Sequence, residues 1–369
     1  MHTLFSIVPK VEEKPSNLSG VLERHRGEKH IIVLQDYPDP DAIASALAHR
    51  LISRRFEINT DIVYGGQISH QQNRALVKFI NTPLLLARDD FDVSSYQGSI
   101  LIDSQGLNSV IMPHLVEKNI PLIAIVDHHN PHGPAPSAEF VDIRHVGATS
   151  TIYTAYLAQG MAQLDRSHRE HVIIATALMH GIMTDTDQFI RATEEDFTAA
   201  TYLSQFHDST SLLEIMKQAR SRQTMDIIQL ALRNRTLREN YAIAGIGYVR
   251  AADRDAIPQA ADFMLTEENV HTAIVYGIVF GEHEGQRTES VIGSLRTTKL
   301  TLDPDQFIKE AFGRNERGQF FGGGRLEAGG FEIPIGFLVG NQDPEYEKLK
   351  WQVYDLQLRR KLFAKLGIK

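Results

Sequence analysis

The sequence predicts an α/β protein, a parallel sheet with helices on both faces followed by a smaller α/β domain. Three observations carry this. Short β-branched runs alternate with helical stretches between His30 and Val126, the order of a parallel sheet with crossover helices. Three of those runs stop abruptly at Asp or His. Beyond them, residues 208–240 read as helical and charged with no Gly or Pro, and a second set of apolar runs begins at Tyr241.

Taken in order, residues 1–28 are mixed and charged and read as a short helix or an N-terminal arm. His30-Ile31-Ile32-Val33-Leu34 reads as the first strand and runs into Gln35-Asp36-Tyr37-Pro38-Asp39-Pro40-Asp41. The prolines keep this segment out of regular helix, and Asp41 can open the helix Ala42 to Arg55. A Pro-Asp turn with a helix cap accounts for one of these aspartates and less well for two. Asn59 to Tyr64 is a second strand, His70 to Ile80 a helix and Leu84 to Leu86 a short strand. Ser99 to Ile102 is a strand that ends on Asp103-Ser104, and Ser109 to Lys118 a helix. Ile123-Ala124-Ile125-Val126 then ends in Asp127-His128-His129, where a turn and a site are both open readings.

After the loop Pro131 to Pro136, Gly147-Ala148-Thr149-Ser150-Thr151 opens a helix. Its first N–H groups are either an anion site or an ordinary capped start. A buried helix from His171 to His180 is expected to end at Gly181, leaving Thr184-Asp185-Thr186 in the following loop. Thr193 with Asp196 is a capping signal. In the second part, Thr272 to Phe280 is apolar, Ser290 to Arg296 is a strand and Asp303 to Phe312 a helix. Phe321-Gly322-Gly323-Gly324-Arg325 reads as a glycine loop, where backbone can approach a ligand closely or simply turn. With Arg296, Arg325 favours an anion there. A helix from Tyr346 to Leu366 offers a face for the core or a homodimer contact.

The length of 369 residues suits two domains. A net charge of -8 argues against holding long nucleic acid through a basic surface. The absence of cysteine excludes disulfides and thiolate metal sites. No run is apolar enough to span a membrane and no signal peptide is evident, so a cytoplasmic, membrane-free protein is expected.

Asp39, Asp41, Asp103, Asp127, His128, His129 and Asp185 therefore form one candidate set at the carboxyl edge of the sheet. So many carboxylates in one crevice repel unless cations neutralise them, which points to two divalent ions. Oxygen ligands with some imidazole suit Mn²⁺ first and Mg²⁺ second.

The ordered set resembles the DHH phosphoesterase superfamily, named for the tripeptide seen here as Asp127-His128-His129. Pro38-Asp39-Pro40-Asp41-Ala42, Ile102-Asp103-Ser104 and Thr184-Asp185-Thr186 are similar to its other motifs. Arg296 with Gly322-Gly323-Gly324 resembles a DHHA1-type second domain, and the likeness runs from about Lys29 to Phe337. The resemblance implies a DHH domain over 29–207, a helical connector over 208–240, a DHHA1-type domain over 241–340 and a C-terminal helix over 341–369. It implies that Asp39, Asp103 and Asp185 hold one metal and Asp41, Asp103, His128 and Asp185 the other. Asp127 would orient His128, and His129 would contact the substrate phosphate. Arg296, Gly322, Gly323, Gly324 and Arg325 would hold the nucleotide. Two departures stand out. Gln35 takes the place of the family's usual metal-binding His, and Arg325 that of a His after the glycines. The implied activity is a metal-dependent phosphoesterase for a short oligoribonucleotide, 3'-phosphoadenosine 5'-phosphate (pAp) or a linear or cyclic dinucleotide. A nucleotide sensor with weak catalysis and an inorganic pyrophosphatase are the alternatives.

Overall fold

The computed structural model of the chain describes residues 17–367, other than 69, 89, 107–108, 131–136, 284–285, 317, 326 and 341–342. The loop expected over Pro131 to Pro136 and the first part of the expected arm lie outside the described residues. The chain divides into two units, Met1–Gln218 and Ala219–Lys369.

The first unit holds six strands, β1 (Lys29–Val33), β2 (Asn59–Tyr64), β3 (Leu85–Leu86), β4 (Gly98–Ile102), β5 (Leu122–Asp127) and β6 (Phe140–Ile143). They pair in the order β3-β2-β1-β4-β5-β6, parallel throughout. The order reverses between β1 and β4, so the chain leaves these two strands in opposite directions. A crevice opens there at their carboxyl ends, where α/β sheets bind ligands. Among the described residues, eight helices accompany the sheet: α1 (Leu18–Arg24), α2 (Pro40–Arg54), α3 (Gln71–Ile80), α4 (Met112–Glu117), α5 (Thr149–Ala158), α6 (Arg169–Asp185), α7 (Glu194–Leu203) and α8 (Ser209–Met216). The strands are apolar on both faces because both are covered. Ile32, Ile100, Ala124 and Val126 pack with α1, α2, α5 and α6. Ile31, Val33, Leu101 and Ile125 pack against Leu115 of α4 together with Val93 and Tyr96.

The second unit contains α9 (Arg222–Asn234), β7 (Thr236–Arg238), β8 (Tyr241–Arg250), α10 (Ala256–Met264), β9 (Thr272–His283), β10 (Gln286–Thr297), α11 (Pro304–Phe312), β11 (Gly322–Arg325), β12 (Ala328–Pro334) and α12 (Pro344–Leu366). Its sheet runs β11-β12-β10-β9-β8-β7, with β8 and β9 parallel and the other pairs antiparallel. Residues of α9 and α10 fill one core, and those of α11 and α12 another.

Of the two readings before Lys29, the described residues form the short helix, α1, whose Leu18, Val21 and Leu22 lie inside the main core. Three expectations are corrected. Gly181 does not end its helix: α6 continues through it to Asp185. A Cβ at Gly181 would lie 2.5 Å from Ser150 Oγ and 3.0 Å from the Asp41 Cα, so this glycine serves close helix packing, not termination. The expected connector is split: α8 ends at Met216, α9 begins at Arg222, and Thr236–Arg238 is already a strand. Finally, Gly322 to Gly324 form the edge strand β11, not a loop. A Cβ on Gly322 would meet Gly330 O at 2.2 Å, and one on Gly324 would meet Asp305 N at 2.9 Å, so the absent side chains let β12 and α11 close in.

Leu22→Ala tests the position of α1. As a fully buried core residue, its truncation should cost about 2–5 kcal/mol, read as a lower urea midpoint of the first unit's unfolding. An unchanged midpoint would mean that α1 is a loose arm.

Candidate metal centre at the sheet switch point

Asp39 follows β1 and caps α2, accepting from Ala42 N at 3.0 Å. The Pro at the helix's first position supplies the backbone angle a helix start needs. Two residues on, the fully buried Asp41 carboxylate receives two backbone donors from the start of α5. Thr149 N reaches Asp41 Oδ2 and Ser150 N reaches Oδ1, each at 2.7 Å. The small-residue helix start is thus an anion site occupied by the protein's own carboxylate. Asp196 fills its other side, accepting from Gly147 N at 3.0 Å and from Thr151 Oγ1 at 2.5 Å.

Asp103 ends β4 in the left-handed region, φ 55°. This conformation is costly for most side chains and least so for Asp and Asn. Its Oδ1 accepts from Thr149 Oγ1 at 2.9 Å, while Oδ2 is buried with no hydrogen-bond partner.

Asp127 closes β5. Its Oδ1 accepts from His128 N (2.8 Å), His129 N (3.1 Å) and His129 Nδ1 (2.8 Å), and its Oδ2 from Gln105 Nε2 (2.8 Å). Asp127 therefore orients the ring of His129, not that of His128 as expected. The His128 ring is held by Val146 O, 3.2 Å from Nδ1. A carbonyl can only accept, so Nδ1 carries the proton. Nε2 then faces Asp185 Oδ2 at 3.2 Å, Asp103 Oδ1 at 3.5 Å and Asp41 Oδ2 at 4.0 Å. Despite this proximity, Nε2 finds no bond of hydrogen-bond geometry. Asp185 comes from the last turn of α6, which Gly181 lets approach. Gln35 Nε2 lies 3.5 Å from Asp39 Oδ2, so the amide joins the edge of the cluster.

The electrostatics are those of crowded anions. Burial first, then Asp185 and Asp41, push Asp39 up to about 7. Burial and Asp185 raise Asp41 to about 6, and burial with Asp39 and Asp41 raises Asp103 well above the usual carboxylate range. For His128 burial acts against the charged form, yet Asp185 and Asp41 outweigh it and raise the ring to about 9. Asp127 departs from the pattern. Burial would raise it, but its bonds to His129 and Gln105 bring it below the usual range.

Two ligating groups have their atoms within 4.8 Å of one another: Asp41, His128 and Asp185, and Asp103, His128 and His129. With Asp103 Oδ2 buried and unpaired and His128 Nε2 facing three carboxylates, the donor set fits divalent cations. A further group, His25, Glu28 and His30, lies at the opposite edge of the sheet. There Glu28 Oε2 already accepts from both rings, at 2.8 and 2.9 Å, and joins α1 to β1.

The remaining predicted residues lie in the second unit. Arg296 on β10 and Arg325 on β11 both pair with Ala328 of β12, which puts them on one rung of the sheet. The side chain of Arg325 lies outside the described residues. Arg296 Nε bonds Asp262 Oδ1 at 2.6 Å, and Gly324 N bonds Asp305 Oδ1 at 3.0 Å.

Sequence reasoning missed Thr149, Gln105 and Val146, and saw only the capping role of Asp196. The signal for Thr149 was present in the small-residue run, which was read only for its backbone donors.

Protons held by Asp39, Asp41 and His128 must leave before a cation binds. Apparent Mn²⁺ affinity should therefore rise with pH from about 6 to 9, with proton release near neutrality. Titration calorimetry in buffers of different ionisation enthalpy measures both. A pH-independent affinity would place the cation elsewhere.

Comparison with known proteins agrees with this geometry. The model of the DHH family, N-terminal domain, matches residues 30–182, a span that ends three residues before Asp185. An uncharacterized protein of Methanocaldococcus jannaschii, MJ1633, is 34% identical over 354 residues, covering 94% of this chain and 67% of that protein. The crystal structure of an exopolyphosphatase-related protein from Bacteroides fragilis has a TM-score of 0.65 at 16% identity. It covers 94% of this chain and 97% of that one, and shows that the two share a fold. With the family's motifs gathered at the switch point of this sheet, the chain belongs to the DHH family.

Proposed function

We propose that the protein is a metal-dependent phosphoesterase for a small nucleotide: a short oligoribonucleotide, pAp or a linear or cyclic dinucleotide. The observation that carries this is the crowded centre itself, where Asp103 Oδ2 is buried without a hydrogen-bond partner and His128 Nε2 faces three carboxylates, two of them with raised pKa values. Such a centre is costly to fold and is useful to a cation.

Asp39, Asp41, Asp103, His128 and Asp185 would hold two divalent ions, Mn²⁺ or Mg²⁺, with the Gln35 amide beside Asp39. Bound there, such ions supply an activated water and neutralise phosphoryl charge. The backbone donors on Asp41 and the Thr149 hydroxyl on Asp103 keep two carboxylates fixed in direction. Asp127 holds the proton on His129 Nδ1, so His129 Nε2 is the nitrogen left for the substrate. His129 is 39% exposed and the least covered ring of the pair. Protonated at Nε2 as well, it donates to a phosphate oxygen, and Asp127 stabilises the resulting imidazolium. Arg296 and Arg325, with the glycines of β11, would receive the nucleotide's phosphate or base.

The test is product release from 5'-phosphorylated diadenylate, pAp, cyclic di-adenylate and pyrophosphate with Mn²⁺ or Mg²⁺. Turnover of a nucleotide, lost in Asp103→Asn and reduced about 10–100-fold in Asp127→Asn, is expected. Cleavage of pyrophosphate alone would favour the pyrophosphatase reading. Tight nucleotide binding without turnover would favour a sensor. Gln35→His should strengthen Mn²⁺ binding by calorimetry, since imidazole is the better transition-metal ligand. An unchanged affinity would remove Gln35 from the metal's surroundings.

A further inference from the structure

Helix α12 is apolar on two opposite sides. One side is accounted for: Leu358 and Leu362 are buried in the second unit's core, with Trp351 and Tyr354 packed against them. The other side carries Leu349, Val353 and Leu356, which are 55%, 66% and 51% exposed. At 3.6 residues per turn these three fall within a strip about 60° wide. Glu345 and Arg360, both exposed, continue the strip at its two ends. The steps from 349 to 353, 356 and 360 are four, three and four residues, the spacing of a helix-pairing seam.

The charges decide what fits this seam. Glu345 stands at the amino end and Arg360 at the carboxyl end. Two copies laid antiparallel about an axis between Gln352 and Val353 set Leu349 of one against Leu356 of the other. The same axis sets Glu345 of one against Arg360 of the other, twice over. A parallel pair would set Glu345 against Glu345 and Arg360 against Arg360. Antiparallel pairing also opposes the two helix dipoles favourably. A two-fold contact needs a patch complementary to itself, and this strip is one.

We infer that the outer face of α12 is a homodimer seam, in which two copies of the chain pair antiparallel through Leu349, Val353 and Leu356 and lock register with Glu345 and Arg360. The seam from Glu345 to Arg360 is about 23 Å long at 1.5 Å per residue. A contact of that size forms a reversible dimer, not an obligate one.

Sedimentation velocity of the full chain over a concentration series tests this. A monomer–dimer equilibrium is expected, abolished by Val353→Glu with an unchanged circular dichroism spectrum. Glu345→Arg and Arg360→Glu should each weaken the dimer several-fold, and the two together should restore it. The chain has no cysteine, so single cysteines report geometry directly. Val353→Cys should form a disulfide-linked dimer. Glu345→Cys should cross-link with Arg360→Cys when the two are mixed, and not with itself. A chain that stays monomeric at every concentration would overturn the inference. So would a dimer indifferent to Val353→Glu, a charge swap without rescue, or self-cross-linking of Glu345→Cys.

Discussion

The first unit depends on one buried carboxylate. Asp41 opens α2, accepts the first free N–H groups of α5 and lies under the close approach of α6 at Gly181. Hydrogen bonds from a helix start to a charged group are each worth about 1.5–3 kcal/mol, and the helix dipole adds to them. Three helices are thereby referred to one point, directly beneath the crevice between β1 and β4. The same carboxylate faces His128. Packing and chemistry are consequently not separable here, because the group that aligns the helices also belongs to the centre they surround.

Around that point the protein tolerates what a stable core would avoid. Carboxyl groups from the start of α2, the end of β4 and the last turn of α6 crowd together, and burial raises several of them far above their ordinary values. Asp103 sits in a left-handed conformation besides. Buried carboxylates crowded in one place mark where the fold has been shaped for chemistry. The surroundings are correspondingly rigid, with Thr149, Val146, Gln105 and Asp196 each fixing a neighbour by a hydrogen bond.

Much of this was legible in the chain. Apolar runs that stop at Asp103 and at Asp127-His128-His129 marked the sheet type and its carboxyl edge, and the repetition of charge at several strand ends favoured a site there over a simple turn. Asp39 and Asp41, two residues apart after a strand, marked the first crossover. What could not be read was three-dimensional packing. Gly181 looks like a helix stop in sequence, yet its role is set by Ser150 and Asp41, which belong to two other helices. Gly322 to Gly324 look like a loop until α11 and β12 are seen against them. The partner of Asp127 was undecidable between adjacent histidines, since the choice rests on Val146 claiming the other ring.

The register of α6 has a consequence for how the molecule assembles. Asp185 reaches the centre only when a 17-residue helix has docked with Gly181 against α2. The side chains of the centre are spread from residue 39 to residue 185, so most of their mutual contacts are far apart in the chain. Closing such loops is slow and entropically expensive. The centre therefore depends on the sheet and its covering helices all being in place. Nothing short of the assembled unit brings these groups within reach of one another. An ion that requires them all would discriminate between finished and unfinished chains, and its retention would act as a proofreading signal for the fold.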